Sequence, residues 1–368
     1  MTESKLTSPK IGAAQIRLLE RLCNAPAVSG DENEVRAIVL EQVRSHASEV
    51  RVDALGNVLA IHPGQGDGRL KVMLAAHMDE VGFMIVDDEG EGILRFETVG
   101  GVDVRQLVGK PVWVGRQHIP GVIGAKPVHL TSPDERKRSV SLDTLRIDVS
   151  PDNAKKVKAG DRATFATSFA RLGPSLRAKA LDDRLGVATL IELLRHAPPN
   201  IDLLAVFSVQ EEVGGRGAHV AAYALNPDLA MVLDCTPAND LPAWNSGGQH
   251  TDPADGENTR YNTRLGEGPA IYVADSATLS DPRLIRHLVE TAEANGIPYQ
   301  IRQPGGGGTD AGAIHKQRMG IPSVSISVPG RYAHTAAMIA RLEDWKNTLS
   351  LVHAALVHLP ADLLDAER

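Results

Sequence analysis

The chain has 368 residues, of which 42% are hydrophobic and 23% are charged, and its formal net charge at pH 7 is −7. This composition predicts an ordinary globular protein with room for two domains. It excludes the basic surface that binds a nucleic-acid backbone, and aromatic residues, at only 4%, offer few platforms for stacking bases.

Two further features predict a cytoplasmic protein without a membrane segment. Cys23 and Cys235 are the two cysteines, and their wide separation favours a reducing compartment over a disulfide framework. The N-terminal segment lacks the apolar run of a signal peptide, and no apolar stretch has the length needed to span a bilayer.

In chain order, the first predicted elements are two helices and two strands. Apolar residues recur at helical spacing over 11–25 and 29–47, and the strands follow over 57–64 and 70–77. From 81 to 172 the segments become short, β-rich and interrupted by Gly, Pro and Asp. This change predicts a small inserted β-barrel domain.

Beyond the insert, helices and buried strands alternate again. Helices are predicted over 182–197 and 281–296, and three apolar strands lie between and after them. Such alternation indicates a mainly parallel sheet with helices on both faces. We therefore predict an α/β fold in which residues 1–80 and 173–368 form one discontinuous domain, interrupted by the barrel over 81–172.

Side chains that can bind metals stand where the predicted strands end. In open α/β sheets, ligands bind outside the carboxyl ends of the strands, so these segments would bring two histidines and several carboxylates to one rim. The residues concerned are His77, the pair Glu211 and Glu212, Asp234 and His334, together with Asp182 and Asp183 where a helix is predicted to begin.

The residue types fit a metal centre. Imidazole and carboxylate ligands suit borderline divalent cations such as zinc or cobalt. Two such cations, about 3.5–4 Å apart, need a bridging carboxylate, and a separate carboxylate must take a proton from water. Of Glu211 and Glu212, one can be a ligand while the other is the base. Asp79, two residues after His77, can accept the other N–H of that ring.

Each of these residues also has an ordinary structural interpretation. A histidine at the end of a strand usually lies in a surface loop, and adjacent acids usually begin a solvated helix. Asp234 alone could be a turn residue. Five such segments converging on one sheet edge are much less expected by chance than any single one, so the pattern favours a metal site.

Specific motifs occur along nearly the whole chain. They are VSGDENEVR, VDALGNVLA, AAHMDEVGFM, GVIGAKPVHL, AKALDDRLG, VQEEVGGRGA, LDCTPAND, GGGGTDAGAIH and GIPSVSISVPGRYAHT. With these motifs, the sequence resembles the cytosolic di-metal aminopeptidases that form tetrahedral (TET) particles, a family also known as endoglucanase M or FrvX-like proteins. Related di-metal carboxypeptidases carry their extra domain after the glutamate pair, whereas the insert here precedes Asp182.

The resemblance implies a role for each candidate residue. Two divalent cations, zinc or cobalt with manganese as an alternative, would share a bridging Asp182. Glu211 would be the general base, and Asp79 would orient His77. The implied terminal metal ligands are His77 and Asp234 at one cation, and Glu212 and His334 at the other.

The resemblance also implies an architecture, an assembly and a reaction. The fold would be a zinc-peptidase α/β domain of the phosphorylase/hydrolase-like type, with the barrel serving oligomerisation. The assembly would be a tetrahedral homododecamer built from dimers. The expected reaction removes N-terminal residues from short peptides, with attack by a metal-bridged hydroxide and proton transfer through Glu211.

The glycine-rich segment over 304–315 predicts a substrate loop. Its glycines permit close approach of a ligand to the backbone, and it lacks the lysine of a phosphate-binding loop. We expect Thr309 and Asp310 to lie near the pocket for the first side chain of the substrate.

Other functions stay open at this stage. A related deacylase would act on non-peptide amides, and an endoglucanase would need two free carboxylates and aromatic sugar platforms. A non-catalytic metal-binding or scaffold protein would be expected to have lost a metal ligand or the base. The chain also departs from the family pattern twice. The family usually has a proline and an acid just after the histidine motif, where this chain reads AAMIA over 336–340. A long polar loop spans 241–268, where we expect an inert surface insertion. The alternative is a flap that reshapes substrate entry, with Trp244 or His250 near the mouth of the pocket.

Overall fold

The computed structural model describes residues 8–241 and 263–368, together with the backbone of 243–244 and 250–251. Helices α1 and α2 open the described chain and lead into the first three strands. These elements are α1 (Ala13–Asn24), α2 (Asn33–Val43), β1 (Glu49–Val52), β2 (Val58–His62) and β3 (Leu70–His77).

A closed antiparallel barrel of six strands follows β3. Its core includes Phe83, whose ring packs edge-to-face on Phe96 and Phe165 with centroids 5.2 and 5.3 Å apart. The elements are β4 (Gly82–Asp88), β5 (Ile93–Val99), β6 (Pro111–Val114), β7 (Ile119–Gly124), β8 (Arg146–Asp148), α3 (Pro151–Ala154) and β9 (Arg162–Phe165).

The chain then returns to the large sheet. The elements up to the polar loop are β10 (Ala170–Leu172), β11 (Ser175–Ala178), α4 (Leu181–Arg195), β12 (Ile201–Ser208), α5 (Arg216–Leu225) and β13 (Leu229–Pro237). The remaining ones are β14 (Ala243–Trp244), β15 (His250–Thr251), β16 (Ala270–Tyr272), α6 (Pro282–Asn295), β17 (Gln300–Arg302), α7 (Ala311–Ile314), β18 (Ser323–Arg331), β19 (Met338–Arg341) and α8 (Leu342–Val357).

The large sheet is parallel at its centre and antiparallel at its edges. Strands β12, β3, β13 and β18 are parallel neighbours in that order, and β2, β19 and β16 add antiparallel partners. Helix α8 packs on α4, where the buried Trp345 donates its indole N–H to Thr189 Oγ1 over 2.9 Å. The predicted α/β fold with a mainly parallel sheet and an inserted barrel is therefore confirmed.

The predicted limits of the insert stay a prediction. The barrel strands lie between residues 82 and 165, while Ala170–Leu172 pairs with β11 and thus joins the large sheet. In the polar loop over 241–268, the side chains of Trp244 and His250 lie outside the described residues. Within the described ranges, no helix is both long enough and apolar enough to cross a membrane.

Candidate active site

The parallel centre of the sheet brings the candidate residues to one edge. His77 ends β3, the glutamate pair follows β12, Asp234 lies in the second half of β13, and His334 follows β18. Because these four strands are parallel, their carboxyl ends meet at the same rim. Asp182 joins them from the start of α4, where its backbone and that of Asp183 depart from helical geometry.

His77 faces two carboxylates. Its Nε2 lies 3.3 Å from Oδ1 of Asp182 and 3.8 Å from Oδ1 of Asp234. Burial alone would lower the pKa of His77, but the neighbouring carboxylates outweigh burial and hold that pKa well above its ordinary value. Burial raises the pKa of Asp234 to about 7.

His334 faces the other side of the same aspartate. Its Nε2 lies 3.7 Å from Oδ2 of Asp182 and 3.3 Å from Oε2 of Glu212. Asp182 therefore turns one oxygen towards each histidine, which is the arrangement expected of a carboxylate shared by two cations.

Two observations show that these residues fit divalent metal. Oδ1 of Asp182 is buried and has no hydrogen-bond partner in the described part of the chain. Ligand atoms of His77, Asp182 and Glu212 all lie within 4.8 Å of one another. The ligand atoms are imidazole nitrogens and carboxylate oxygens, and they surround Asp182. Such ligands suit zinc-like cations.

Asp79 contacts the backbone of the glutamate pair as well as the ring of His77. Its carboxylate accepts hydrogen bonds from the backbone N–H of Glu211 at 2.9 Å, from that of Glu212 at 3.2 Å, and from Oγ of Ser29 at 2.6 Å. Nδ1 of His77 lies 3.5 Å from this carboxylate but only 3.2 Å from the backbone oxygen of Asp79. The contact with the two amides was not expected from the sequence.

Glu211 borders the cavity beside the metal-site residues. Burial raises its pKa well above the ordinary value, and the negative charges of Asp234 and Asp310 raise it further. The residue thus lies where a carboxylate could exchange a proton with a substrate held at the rim.

A buried ion cluster, which sequence reasoning missed, lies beneath the site. Glu80 follows Asp79 directly, and both of its oxygens contact Nζ of Lys179, at 2.5 and 2.6 Å. Arg184 donates to the backbone oxygens of Met78 and Asp79, so it ties the segment of Asp182 to that of His77. A sequence signal existed, since Lys179 and Arg184 flank the aspartate pair in the AKALDDRLG motif.

A cavity of about 960 Å³ opens over the rim. Besides the metal-site residues, its walls include Tyr272, Arg302 and Thr309. The hydroxyl of Thr309 lies 2.7 Å from Oγ of Ser325. Asp310 is buried behind the wall, where it accepts a hydrogen bond from Ser208 Oγ.

The sequence is similar to known proteins over most of its length. The profile of the family described as M42 glutamyl aminopeptidase matches residues 56–351. The chain belongs to this M42 family. The chain is also similar to the lysyl aminopeptidase of Pyrococcus furiosus, with 31% identity over 93% of this chain and 96% of the relative.

Solved structures give the same assignment. The TET aminopeptidase from the marine sediment archaeon Thaumarchaeota archaeon SCGC AB-539-E09 matches with a TM-score of 0.87 and 34% identity, covering 96% of this chain and 99% of that one. The TET1 peptidase of Pyrococcus horikoshii, which can assemble into a tetrahedron or a large octahedral shell, matches with a TM-score of 0.80 and 32% identity, covering 94% and 100%. The predicted resemblance is confirmed, and this M42 protein is a hydrolase that acts on peptide bonds.

Proposed function

We propose that the protein is a metal-dependent aminopeptidase that removes N-terminal residues from short peptides. The observation that carries the proposal is the position of Asp182, whose two oxygens face His77 and His334 separately. Two divalent cations, zinc or cobalt with manganese as an alternative, would be held by His77, Asp182, Glu212, Asp234 and His334.

When bound, the cations would supply Lewis acidity, which activates water and polarises the scissile carbonyl. Glu211 takes the proton of the attacking water and delivers it to the leaving amine. Asp79 keeps Glu211 in reach through the backbone hydrogen bond of 2.9 Å. The buried cluster of Glu80, Lys179 and Arg184 holds the segment of Asp79 from below.

The cavity supports short peptides as substrates. Its volume of about 960 Å³ lies within the range of small-ligand sites, and it opens directly above the metal-site residues. Thr309 contributes to the wall that receives the first side chain. Asp310 supports this wall from behind through Ser208.

The proposal includes assembly and location. The TET1 peptidase of Pyrococcus horikoshii can assemble into a tetrahedron or a large octahedral shell, and a tetrahedral homododecamer built from dimers through the barrel is proposed for this chain. Both cysteines are buried and free of disulfides within the described structure, which supports a cytoplasmic location.

The test is reconstitution of metal-stripped protein with zinc, cobalt or manganese. Each form is assayed on a panel of aminoacyl amides, on the same amides with an acetylated amine, on a non-peptide acyl amide and on soluble cellulose. We expect metal-restored release of amino acids from the free-amine substrates alone. Turnover of acetylated or non-peptide amides would indicate a deacylase, and turnover of cellulose without metal would indicate an endoglucanase.

A further inference from the structure

The β-barrel contributes directly to the environment of His334. Nδ1 of His334 lies 2.9 Å from the backbone oxygen of Gly101, in the segment that follows barrel strand β5. A carbonyl oxygen only accepts hydrogen bonds, so Nδ1 carries the proton and, in the neutral ring, Nε2 has a free lone pair. That lone pair is on the side of Asp182 and Glu212.

This contact matters more for His334 than any similar contact would for His77. The side chain of His77 is 2% exposed and is fixed by its packing, whereas that of His334 is 40% exposed. His334 also has a φ of 59°, a left-handed backbone conformation that a residue without special support rarely keeps. Its orientation therefore depends on the few contacts that hold it.

A second contact ties the same segment to the barrel. Ala336, two residues after His334, is buried in the hydrophobic cluster that forms the barrel core. Val102 and Val104, next to Gly101, pack against that cluster too. The AAMIA departure from the family pattern thus places a small apolar residue where the barrel and the histidine segment meet.

At position 101 there is little space for a side chain larger than that of glycine. A Cβ at this position would lie 3.3 Å from Nδ1 of His334, so the imidazole would have to move by a few tenths of an ångström. Metal–ligand distances tolerate deviations of about 0.2 Å, so such a displacement is large enough to weaken coordination.

Resting on the two-cation centre proposed above, we infer that the β-barrel is a positioning element of the metal centre. It acts on His334 through the carbonyl of Gly101 and the packing of Ala336, and so selectively supports the cation held by His334 and Glu212. The barrel would then shape the active site as well as the proposed assembly.

The test is titration of metal-stripped protein with cobalt(II), followed by calorimetry and visible absorption. The parent should bind cobalt in two steps, and His334→Ala should lose one of them. Gly101→Ala keeps the carbonyl but displaces the imidazole, so it should weaken that same step by about 10–100-fold, the usual effect of disturbing the support of a metal-bound histidine, and leave the other step unchanged. The matched control is Gly124→Ala, also in the barrel, where a Cβ would meet only Arg146 O at 3.9 Å.

The outcomes separate this inference from the proposed function. A parent that binds no cobalt rejects the metal centre and the inference with it. If the parent binds two ions and Gly101→Ala binds both with parental affinity and spectrum, or loses both equally, only the inference fails. Should Gly101→Ala not fold, Ala336→Gly takes its place, and parental binding of both ions by that variant overturns the inference.

Discussion

The carboxylate of Asp79 accepts a hydrogen bond from the backbone N–H of Glu211, with an N···O distance of 2.9 Å. This bond joins the loop after β3 to the loop after β12, so one buried side chain links the segment of His77, a proposed metal ligand, to that of the proposed base. The position of Glu211 is thus fixed through its backbone, which leaves its side chain free to exchange protons.

Replacing Asp79 by Asn should lower kcat/KM by about 10–100-fold, because an amide accepts these hydrogen bonds less strongly than a carboxylate. Steady-state kinetics at saturating metal would measure the change. Asp152→Asn, on the exposed barrel helix α3, serves as the control and should keep parental activity. Parental kinetics for Asp79→Asn would show that the bond has no part in catalysis.

Glu211→Gln should retain metal but lose kcat by about 10²–10⁴-fold, since it keeps the shape of the side chain and removes its ability to take a proton. Single-turnover assays combined with metal analysis would separate the two effects. Glu20→Gln, on the exposed side of α1, is a control of the same chemistry. A Glu211→Gln enzyme with normal turnover contradicts the assignment of the base.

Asp182→Asn should lose metal. The carboxylate of Asp182 has one oxygen on the side of His77 and one on the side of His334, so it could bind a cation on each side. The amide of asparagine has only one oxygen. Elemental analysis of the purified variant should find less than the parental metal content even after incubation with excess zinc. If this variant retained two metal ions per chain, Asp182 would not be the bridging ligand.

Lys179→Met should destabilise the protein by about 3–5 kcal/mol, because it removes the nearer of the two cations that contact the buried carboxylate of Glu80 and leaves only Arg184, at 3.5 Å. Denaturant unfolding would measure the loss. The double variant Glu80→Gln with Lys179→Met removes this pair of charges and leaves Arg184 with its backbone acceptors on Met78 and Asp79, so it should regain part of that stability. Equal losses in the single and double variants would mean that the charge of Glu80 is not the cause.

His353 should make stability depend on pH. Burial lowers its pKa below the ordinary value, and the nearby His196 lowers it further. The folded protein therefore binds this proton more weakly than the unfolded chain, so stability is complete above about pH 6.5 and falls as the pH drops below it. Between pH 7.5 and 5.5, His353→Leu should lose less unfolding free energy than the parent, while the exposed control His129→Gln should follow the parent. Identical slopes for all three would exclude the effect.

Much of this site could be predicted from the sequence because strand ends are local signals. An apolar run that stops at His77 or before Glu211 indicates a buried strand and also the residue at the carboxyl end of that strand. A parallel sheet brings these strand ends together at one edge. The family motifs then suggested a role for each residue. Without them, the sequence would not tell which of Glu211 and Glu212 is the base and which is the metal ligand.

The supports of the site could not be predicted, since they join positions far apart in sequence. Lys179 contacts Glu80 across 99 positions, and Gly101 contacts His334 across 233. The contact at Gly101 also uses a backbone carbonyl, which every residue possesses and which therefore leaves no trace in the sequence pattern. Likewise, the burial of Asp310 behind the cavity wall depends on how α7 packs.

The most direct measurement is anomalous X-ray diffraction at the zinc absorption edge from crystals of the zinc-loaded protein. Our account predicts two anomalous peaks per chain, separated by about 3.5–4 Å, one beside His77 and Asp234 and the other beside His334 and Glu212, with Asp182 between them. A single peak, or none, in crystals of protein that hydrolyses aminoacyl amides would contradict the two-cation centre.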